Sequence, residues 1–136
     1  MAKSTTSSND ALDAFLRAVD PTWRSGSSRY ITLHTATPGV GGTQTTNEAT
    51  YTSYARVTVT ASSGFTAASS ASSSNTGTIS FPQCTGGTNT ITYVSIGTAS
   101  TGAGQVIYFG ALTSSLAVAN LILPLFSIGA LVASEA

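Results

Sequence analysis

Residues 30–59 read YITLHTATPGVGGTQTTNEATYTSYARVTV, and this stretch decides the fold class. Apolar and polar side chains alternate over residues 31–36, which is the two-residue period of a half-buried strand. Pro38 and Gly39 follow in the order that a tight turn requires. After a polar loop, the alternation returns over residues 55–60. The stretch therefore predicts a strand, a long loop and a second strand.

Further short strands are predicted downstream, separated by Gly-rich turns. Residues 90–99 and 105–112 flank the sequence TGAG and form a predicted hairpin. Both have apolar residues on two faces, as expected for central strands of a sandwich or strands covered by a second subunit. A change of phase between Tyr93 and Val94 indicates a bulge at that point. The other predicted strands are residues 78–81, 117–123 and 127–131.

A short helix is predicted ahead of Pro21, which would end it. Asn9 or Asp10 can cap its first turn. Because a helix of under three turns is marginal alone in water, its apolar stripe must dock. Docking on its own sheet is the commoner outcome, and a neighbouring subunit is the alternative. The stripe consists of Leu12, Phe15, Leu16 and Val19.

The chain carries very little charge. Charged residues make up 7% of the sequence, against about 25% in a typical soluble domain. The formal net charge is zero, and residues 57–134 contain no Asp, Glu, Lys or Arg. Such a surface indicates contact with other proteins, because charge keeps free proteins soluble. The alternative is a Thr-coated β protein kept soluble by its hydroxyl groups.

Charge balance also bears on the kind of partner. Five acids offset the five cations, so no basic stripe is available to neutralise phosphates, and a nucleic-acid partner is not expected. The start MAK is followed by polar residues, unlike an export signal. A single cysteine rules out an intrachain disulfide and fits assembly in a reducing cytoplasm.

Residues 116–133 form the most apolar run of the chain. Pro124 interrupts the run and no basic residue flanks it, so two short strands are predicted and a membrane span is not. Part of the run should close the core, and part should stay exposed for contact between subunits. Trp23 is either a lid over the core or an interface anchor. The candidate contact residues are Trp23, Leu121, Ile122, Leu125 and Phe126.

Reactive chemistry is not predicted. His34 is the one histidine, and the motif Gly-x-Ser-x-Gly of hydrolases is absent. Cys84 lies among uncharged residues, which does not favour a thiolate. The His, Cys and acidic residues have no zinc-binding spacing, and the glycines near residue 40 lack the Lys of a phosphate loop. We expect no enzyme activity, no catalytic residue, no cofactor and no metal.

The motifs LHTATPG and YTSYARV, with NE between them, resemble the opening of a family of tailed-phage head decoration, or cement, proteins. Members of this family are often labelled phage tail fibre proteins. The likeness continues in ISFPQCTGG at residues 79–87 and in IGTASTGAGQVIYFGALTSSLAV at residues 96–118, so it covers most of residues 30–131. The sequence departs from the family around Phe65, where a more regular strand pair would be expected.

The resemblance implies a jelly-roll-like antiparallel β-sandwich with one short N-terminal helix. Residues 1–29 would form an arm and the helix, and residues 30–136 the sandwich domain, with the helix docked into a single globular unit. It further implies a homotrimer, made in the host cytoplasm, that binds the outer capsid surface at junctions between major capsid protein subunits. No membrane contact is implied.

Two other functions remain open from the residues alone. One is a tail-fibre or receptor-binding component of the virion, although the chain is short and has no fibrous repeat. The other is a small carbohydrate-binding β-sandwich that would use Trp23, Tyr51 and Tyr54 as stacking residues.

Overall fold

The computed structural model describes residues 1–135, and Ala136, the last residue of the predicted sandwich domain, lies outside the described part. The predicted fold class is confirmed: the chain is mainly β, its sheets are antiparallel, and it has one short N-terminal helix. The elements are β1 (Ala2–Lys3), α1 (Thr5–Arg17), a 3-10 turn (Thr22–Ser25), β2 (Ser28–His34), β3 (Val57–Thr60), β4 (Ser72–Ser74), β5 (Ile79–Ser80), β6 (Asn89–Gly97), β7 (Val106–Val118), β8 (Leu125–Phe126) and β9 (Val132–Ser134).

The main sheet has five strands in the order β1, β7, β6, β2, β3. All neighbours run antiparallel, and the predicted hairpin of β6 and β7 lies at its centre. Two small sheets, β4 with β9 and β5 with β8, complete the fold. Ile79 of β5 and Leu131 before β9 share one core cluster with Ile31, Leu33 and Ile91 of the main sheet. The arrangement is consistent with a β-sandwich.

Aromatic rings form a row through this core. Tyr51 meets Tyr54 edge-on with ring centroids 5.4 Å apart, Tyr54 stacks on Phe81 at 6.4 Å, and Phe81 meets Phe126 at 6.3 Å. Pairs of this kind stabilise by about 0.5–1.5 kcal/mol each beyond the area they bury. The row connects the loop after β2 to β8, so the two layers are joined by large side chains.

The bulge in the central hairpin lies one step away from its predicted position. Ile91 pairs with Leu116 and Tyr93 pairs with Ala111, so residues 112–115 of β7 face Thr92 alone on β6. The irregularity is therefore between Ile91 and Tyr93, not between Tyr93 and Val94. The extra residues belong to β7, and the sequence of β6 could not reveal them.

The two predicted C-terminal strands are wrong in position. Residues 119–122 form a turn closed by a hydrogen bond from Ile122 N to Ala119 O at 3.0 Å, and residues 127–130 form another. The strands in this region are instead β8, which pairs with β5, and β9, which pairs with β4. An apolar run does not itself specify a strand, because turns can carry apolar side chains where a partner segment satisfies the backbone. Here Phe81 N donates to Pro124 O at 2.9 Å.

The low-complexity segment is more ordered than its composition indicates. The segment is residues 67–75, mostly Ala and Ser: residues 67–71 are exposed, but β4 lies in the remainder and pairs with β9. The Phe65 side chain is half-buried and packs against the core. Asn75, completely enclosed, donates from Nδ2 to Gly77 O and Ser127 O and accepts from Leu131 N. One amide therefore anchors a segment that has few apolar side chains.

The N-terminal residues are also structured. Ala2 and Lys3, at the start of the predicted arm, pair with Phe109 and Tyr108 as strand β1. The helix begins at Thr5, earlier than the predicted caps Asn9 and Asp10, because Ser4 accepts a hydrogen bond from Ser7 N at 3.2 Å.

Candidate interaction surfaces

Helix α1 rests on the main sheet through its polar side. The Ser4 and Ser7 hydroxyls both donate to Val106 O, and the Asp10 carboxylate accepts from Gln105 Nε2 at 2.7 Å. Ser4 and Ser7 are buried although both are polar. These bonds seat the helix without using any large apolar side chain.

The apolar stripe of the helix therefore faces solvent, and the prediction that it docks on its own sheet is wrong. The physical reason is that the small serines allow close approach to the carbonyl of Val106, which leaves the opposite face outside. A helix turned this way is typical of a chain whose apolar face contacts another protein. The exposed fractions of the stripe residues are Leu12 at 56%, Phe15 at 83% and Leu16 at 78% on the helix, and Val19 at 49% just after its end at Arg17.

A second apolar surface is formed by the C-terminal segment. Leu121, Ile122 and Leu125, three of the predicted contact residues, are exposed there. Phe126, also predicted, is only half-buried and its ring packs on Phe81, so it belongs partly to the core. We define the C-terminal surface as Leu121, Ile122, Leu123, Leu125, Ile128 and Val132, which are 39–70% exposed.

Leu121 is held outward by a strained turn. Its φ of 72° lies in the left-handed region, which costs a branched residue about 1–2 kcal/mol. Glycine usually occupies this place in a turn. Leu121 N donates to Cys84 O at 2.8 Å, and Gln83 Nε2 donates to Leu121 O at 2.8 Å. These bonds keep the turn, and the 70% exposed side chain of Leu121 projects into solvent.

A cleft of about 650 Å³ opens beside the C-terminal surface. Leu112 and Leu116 of β7 form one wall, and Leu125 and Val132 form the other. No charged residue lines it within the described chain. The cleft exists because residues 112–115 leave the ladder of the main sheet.

Trp23 is partly buried and makes two polar contacts. Its indole Nε1 donates to Asp10 Oδ2 at 2.9 Å, and the Arg29 guanidinium lies 5.2 Å from the ring centroid. Burial lowers the pKa of Arg29. A cation above the ring stabilises by about 0.5–1 kcal/mol at such a site. Trp23 therefore ties the helix to β2, and its predicted role as a lid or as an interface anchor stays a prediction.

The proposed stacking residues of a carbohydrate site are not presented together. Tyr51 is buried in the core and Tyr54 packs against it. The Tyr54 hydroxyl accepts from Leu33 N at 3.2 Å, and Tyr51 donates to Pro82 O at 2.9 Å. Burial raises the pKa of Tyr51 to about 12 and raises that of Tyr54 as well. Neither tyrosine ring is therefore placed to stack on a ligand together with Trp23.

A buried ion pair connects two loops. Arg56 Nε and NH2 donate to the two Glu48 carboxylate oxygens at 2.7 and 2.8 Å, and the same guanidinium reaches Ala99 O and Gly102 O. The Arg56 side chain is 3% exposed and that of Glu48 is 18% exposed. The structure places the pair inside, where it fixes the loops after β2 and β6.

His34 forms the hydrogen bonds expected of a structural residue. Its Nδ1 contacts Thr46 O at 2.8 Å and must carry the proton, so Nε2 accepts from Ser95 Oγ at 2.7 Å. A serine hydroxyl hydrogen-bonded to a histidine is also the arrangement of a serine nucleophile and its general base. However, His34 and Ser95 are completely buried, so no substrate reaches the hydroxyl in this structure. Burial lowers the pKa of His34, and the bond to Thr46 only partly opposes this.

Sequence reasoning missed Gln44, which lies completely buried in a polar loop. Its Nε2 donates to Thr32 Oγ1 at 3.0 Å, and its Oε1 accepts from Ala99 N at 2.9 Å. Gly97 leaves the space that this side chain fills. The only available signal was the Gly-rich context, which predicts turns and not a buried amide.

The described part of the chain meets the requirements of neither a metal site nor a membrane-spanning helix. Cys84 is buried and its thiol points at Gly86 O, 3.1 Å away. Residues 1–135 contain no group of three metal-ligating side chains. The one α-helix described is too short to cross a bilayer.

These features define a class: a small antiparallel β protein, poor in charge, whose exposed apolar side chains are those of an assembly component. The profile of the family described as Podophage GP4 fiber I protein gp80 matches residues 2–134. The chain belongs to this family and is a structural protein of a phage virion. No curated protein matches it. The expected phage virion class is confirmed at this level.

Proposed function

We propose that this protein is a non-enzymatic subunit of a virion fibre assembly, held by contacts between its apolar surfaces and neighbouring virion proteins. The family description names a fibre protein, which supports the fibre assignment. The observation that carries the proposal is the outward stripe of α1, with Phe15 and Leu16 about four-fifths exposed. Side chains of this size gain about 1.5–3 kcal/mol each when they are buried.

A second candidate is capsid decoration, in which the protein binds at junctions of the major capsid protein and braces the shell. The resemblance of residues 30–131 to cement proteins supports it, as does the single β unit without fibrous repeats. Many weak apolar contacts, repeated over a symmetric shell, add through multivalency. In either role the partners are other virion proteins and further copies of this chain.

Nucleic acid and membrane are not among the proposed partners. The cations are already engaged: Arg17 pairs with Asp13, Arg24 with Asp20, Lys3 with Glu135 and Arg56 with Glu48. Arg29 lies over the Trp23 ring. Neutralising a row of phosphates needs several free cations on one face.

The test is to delete the gene in the phage and to supply it from a plasmid. Wild type should be incorporated into particles, whereas Phe15→Glu with Leu16→Glu should reduce its copies per particle severely. The matched control is Thr6→Glu with Asn9→Glu, which adds the same charge to exposed polar positions of the same helix. Quantitative mass spectrometry of purified particles gives the copy number. Equal incorporation of both double variants would contradict the proposal.

The same particles separate the two roles. A fibre subunit should be present in a few copies per attachment point, and its loss should reduce adsorption to host cells. A decoration protein should approach the copy number of the major capsid protein, and its loss should lower the temperature at which heads break.

A further inference from the structure

We propose that the apolar stripe of α1 docks into the cleft beside the C-terminal surface of a second copy of this chain, so that copies associate head to tail. This inference rests on the proposed function, because it names one binding partner for the apolar surfaces described there. It differs in that the interface is between identical chains and can be tested without the virus.

The helix supplies a ridge. Leu12 and Leu16 are spaced four residues apart on α1, and Phe15 stands beside Leu16 as the most exposed of the stripe. Val19 follows the end of the helix at Arg17. The helix cannot turn this ridge inward, because Ser4 and Ser7 fix its other side to Val106. A partner must therefore come to the helix.

The cleft supplies a matching groove. Its walls, Leu112 and Leu116 on one side and Leu125 and Val132 on the other, are apolar. Its volume of about 650 Å³ is in the range of sites that enclose large ligands, and it is open to solvent. Two side chains the size of Phe15 and Leu16 fit such a groove. The helix of the same chain is held at Val106 by Ser4 and Ser7, whereas the β7 residues that line the cleft lie between Gly110 and Leu116.

The area is sufficient for a specific contact only when both surfaces are used. Taking about 200 Å² for each large residue, the stripe exposes roughly 500 Å² and the C-terminal surface roughly 600 Å². Together these exceed the about 1,000 Å² that a specific interface requires. Pairing of stripe with stripe, or of C-terminal surface with C-terminal surface, would leave the other surface of every copy uncovered. A head-to-tail contact covers both, and closes into a ring if the rotation between copies allows it.

Charge favours the same arrangement. The stripe is flanked by the ion pairs of Asp13 with Arg17 and of Asp20 with Arg24, which are exposed and internally balanced. The cleft is lined mostly by residues between 94 and 132, which include no Asp, Glu, Lys or Arg, and otherwise by Met1, Ala2 and Leu33. The ion pairs can therefore stay hydrated at the rim of the interface, where no charged side chain of the cleft faces them. Parallel pairing of two stripes would place like charges side by side.

The experiment uses the purified full chain and measures mass by light scattering coupled to gel filtration. Wild type should form an oligomer at micromolar to millimolar concentration. Phe15→Glu with Leu16→Glu, and separately Leu125→Glu with Val132→Glu, should each weaken association on the order of 30-fold or more, as loss of two central contacts does. The control Thr6→Glu with Asn9→Glu should leave the mass of the wild-type oligomer unchanged. Circular dichroism checks that each variant is folded.

Mixing the two weakened variants distinguishes the arrangements. Each retains one intact surface, and the two intact surfaces are complementary only in a head-to-tail contact. An equimolar mixture should therefore give a one-to-one heterodimer that cannot grow further. If stripes pair with stripes, the Leu125 and Val132 variant remains associated alone and the mixture gains nothing, which overturns the proposal. A monomeric wild type at millimolar concentration overturns it as well.

Failure of this inference and failure of the proposed function give different results. A monomer that particles still incorporate rejects the head-to-tail contact alone. An oligomer that never enters particles rejects the virion role and leaves the contact standing.

Discussion

Replacing Arg56 with alanine should destabilise the fold by about 3–5 kcal/mol, the usual cost of removing one partner from a buried ion pair. The magnitude follows from what stays behind. The Glu48 carboxylate keeps its charge in a site that is mostly enclosed, and the carbonyls of Ala99 and Gly102 lose their donors. Since domains of this size are stable by about 5–15 kcal/mol, the variant should fold but with a much lower unfolding midpoint.

Urea unfolding followed by circular dichroism measures this loss, and three variants sharpen it. Arg56→Lys keeps the charge but loses the two-pronged geometry, so it should lose about 1–3 kcal/mol. Arg56→Met with Glu48→Met removes both charges and should lose less than Arg56→Ala. Arg17→Ala, which breaks the exposed pair with Asp13, should lose under about 0.5 kcal/mol. A loss below about 1 kcal/mol for Arg56→Ala would refute the reasoning, because that is the value of a surface pair.

Three further predictions concern stability. Gly97→Ala should lose about 1–3 kcal/mol in urea unfolding, because the added Cβ would lie 2.1 Å from Cδ of the buried Gln44. Leu121→Gly should raise the free energy of unfolding by about 1 kcal/mol, because it removes the left-handed strain, while weakening association in light scattering. Burial lowers the pKa of His34 in the folded protein, so on acidification the unfolded chain takes up the proton at a higher pH than the folded chain does. The free energy of unfolding should therefore be at its full value above about pH 6.5 and fall below that pH by up to about 1.4 kcal/mol per pH unit.

Each of these has a control or a contradicting result. Gly41→Ala, at a position with open space around it, should be close to neutral, and an equal loss at both glycines would reject the packing argument. A destabilised Leu121→Gly would mean that the turn is not strained. The single imidazole should give one set of proton resonances, and its titration in the folded protein near pH 6.5, with stability constant from pH 7 to 5, would contradict the prediction for His34.

Local alternation was enough to predict the β elements of the main sheet. Residues 31–36 and 55–60 overlap β2 and β3, and the predicted hairpin is β6 with β7. A pattern of period two reports which side chains share a face. In β3 the apolar face is the less exposed one, whereas β2 is not half-buried as predicted, because Thr32 and His34 on its other face are buried as well. Where the pattern was absent, as in β4, pairing with β9 depends on residues about 60 positions away and could not be predicted.

The candidate interaction surfaces were predicted only in part, again because contacts between residues distant in sequence decide them. Leu12, Phe15 and Leu16 of the predicted stripe lie on α1, whereas Val19 follows the end of the helix at Arg17. Periodicity also does not say what lies beneath a helix. The contact of Ser7 with Val106 O spans about a hundred residues of sequence, and it reverses the expected orientation. Leu121 and Leu125 were expected to be exposed and are, whereas Phe126 turns toward Phe81. Burial of Gln44 and of the Glu48 and Arg56 pair depends on loops that only tertiary structure brings together.

A cryo-EM map of the mature particle tests the central claim most directly. The account predicts density for this fold on the virion, with the Phe15 and Leu16 side chains of every copy enclosed by protein, from a second copy or from a neighbouring virion chain. Particles that lack the protein, or that hold it with the α1 stripe facing solvent in every copy, would contradict the account.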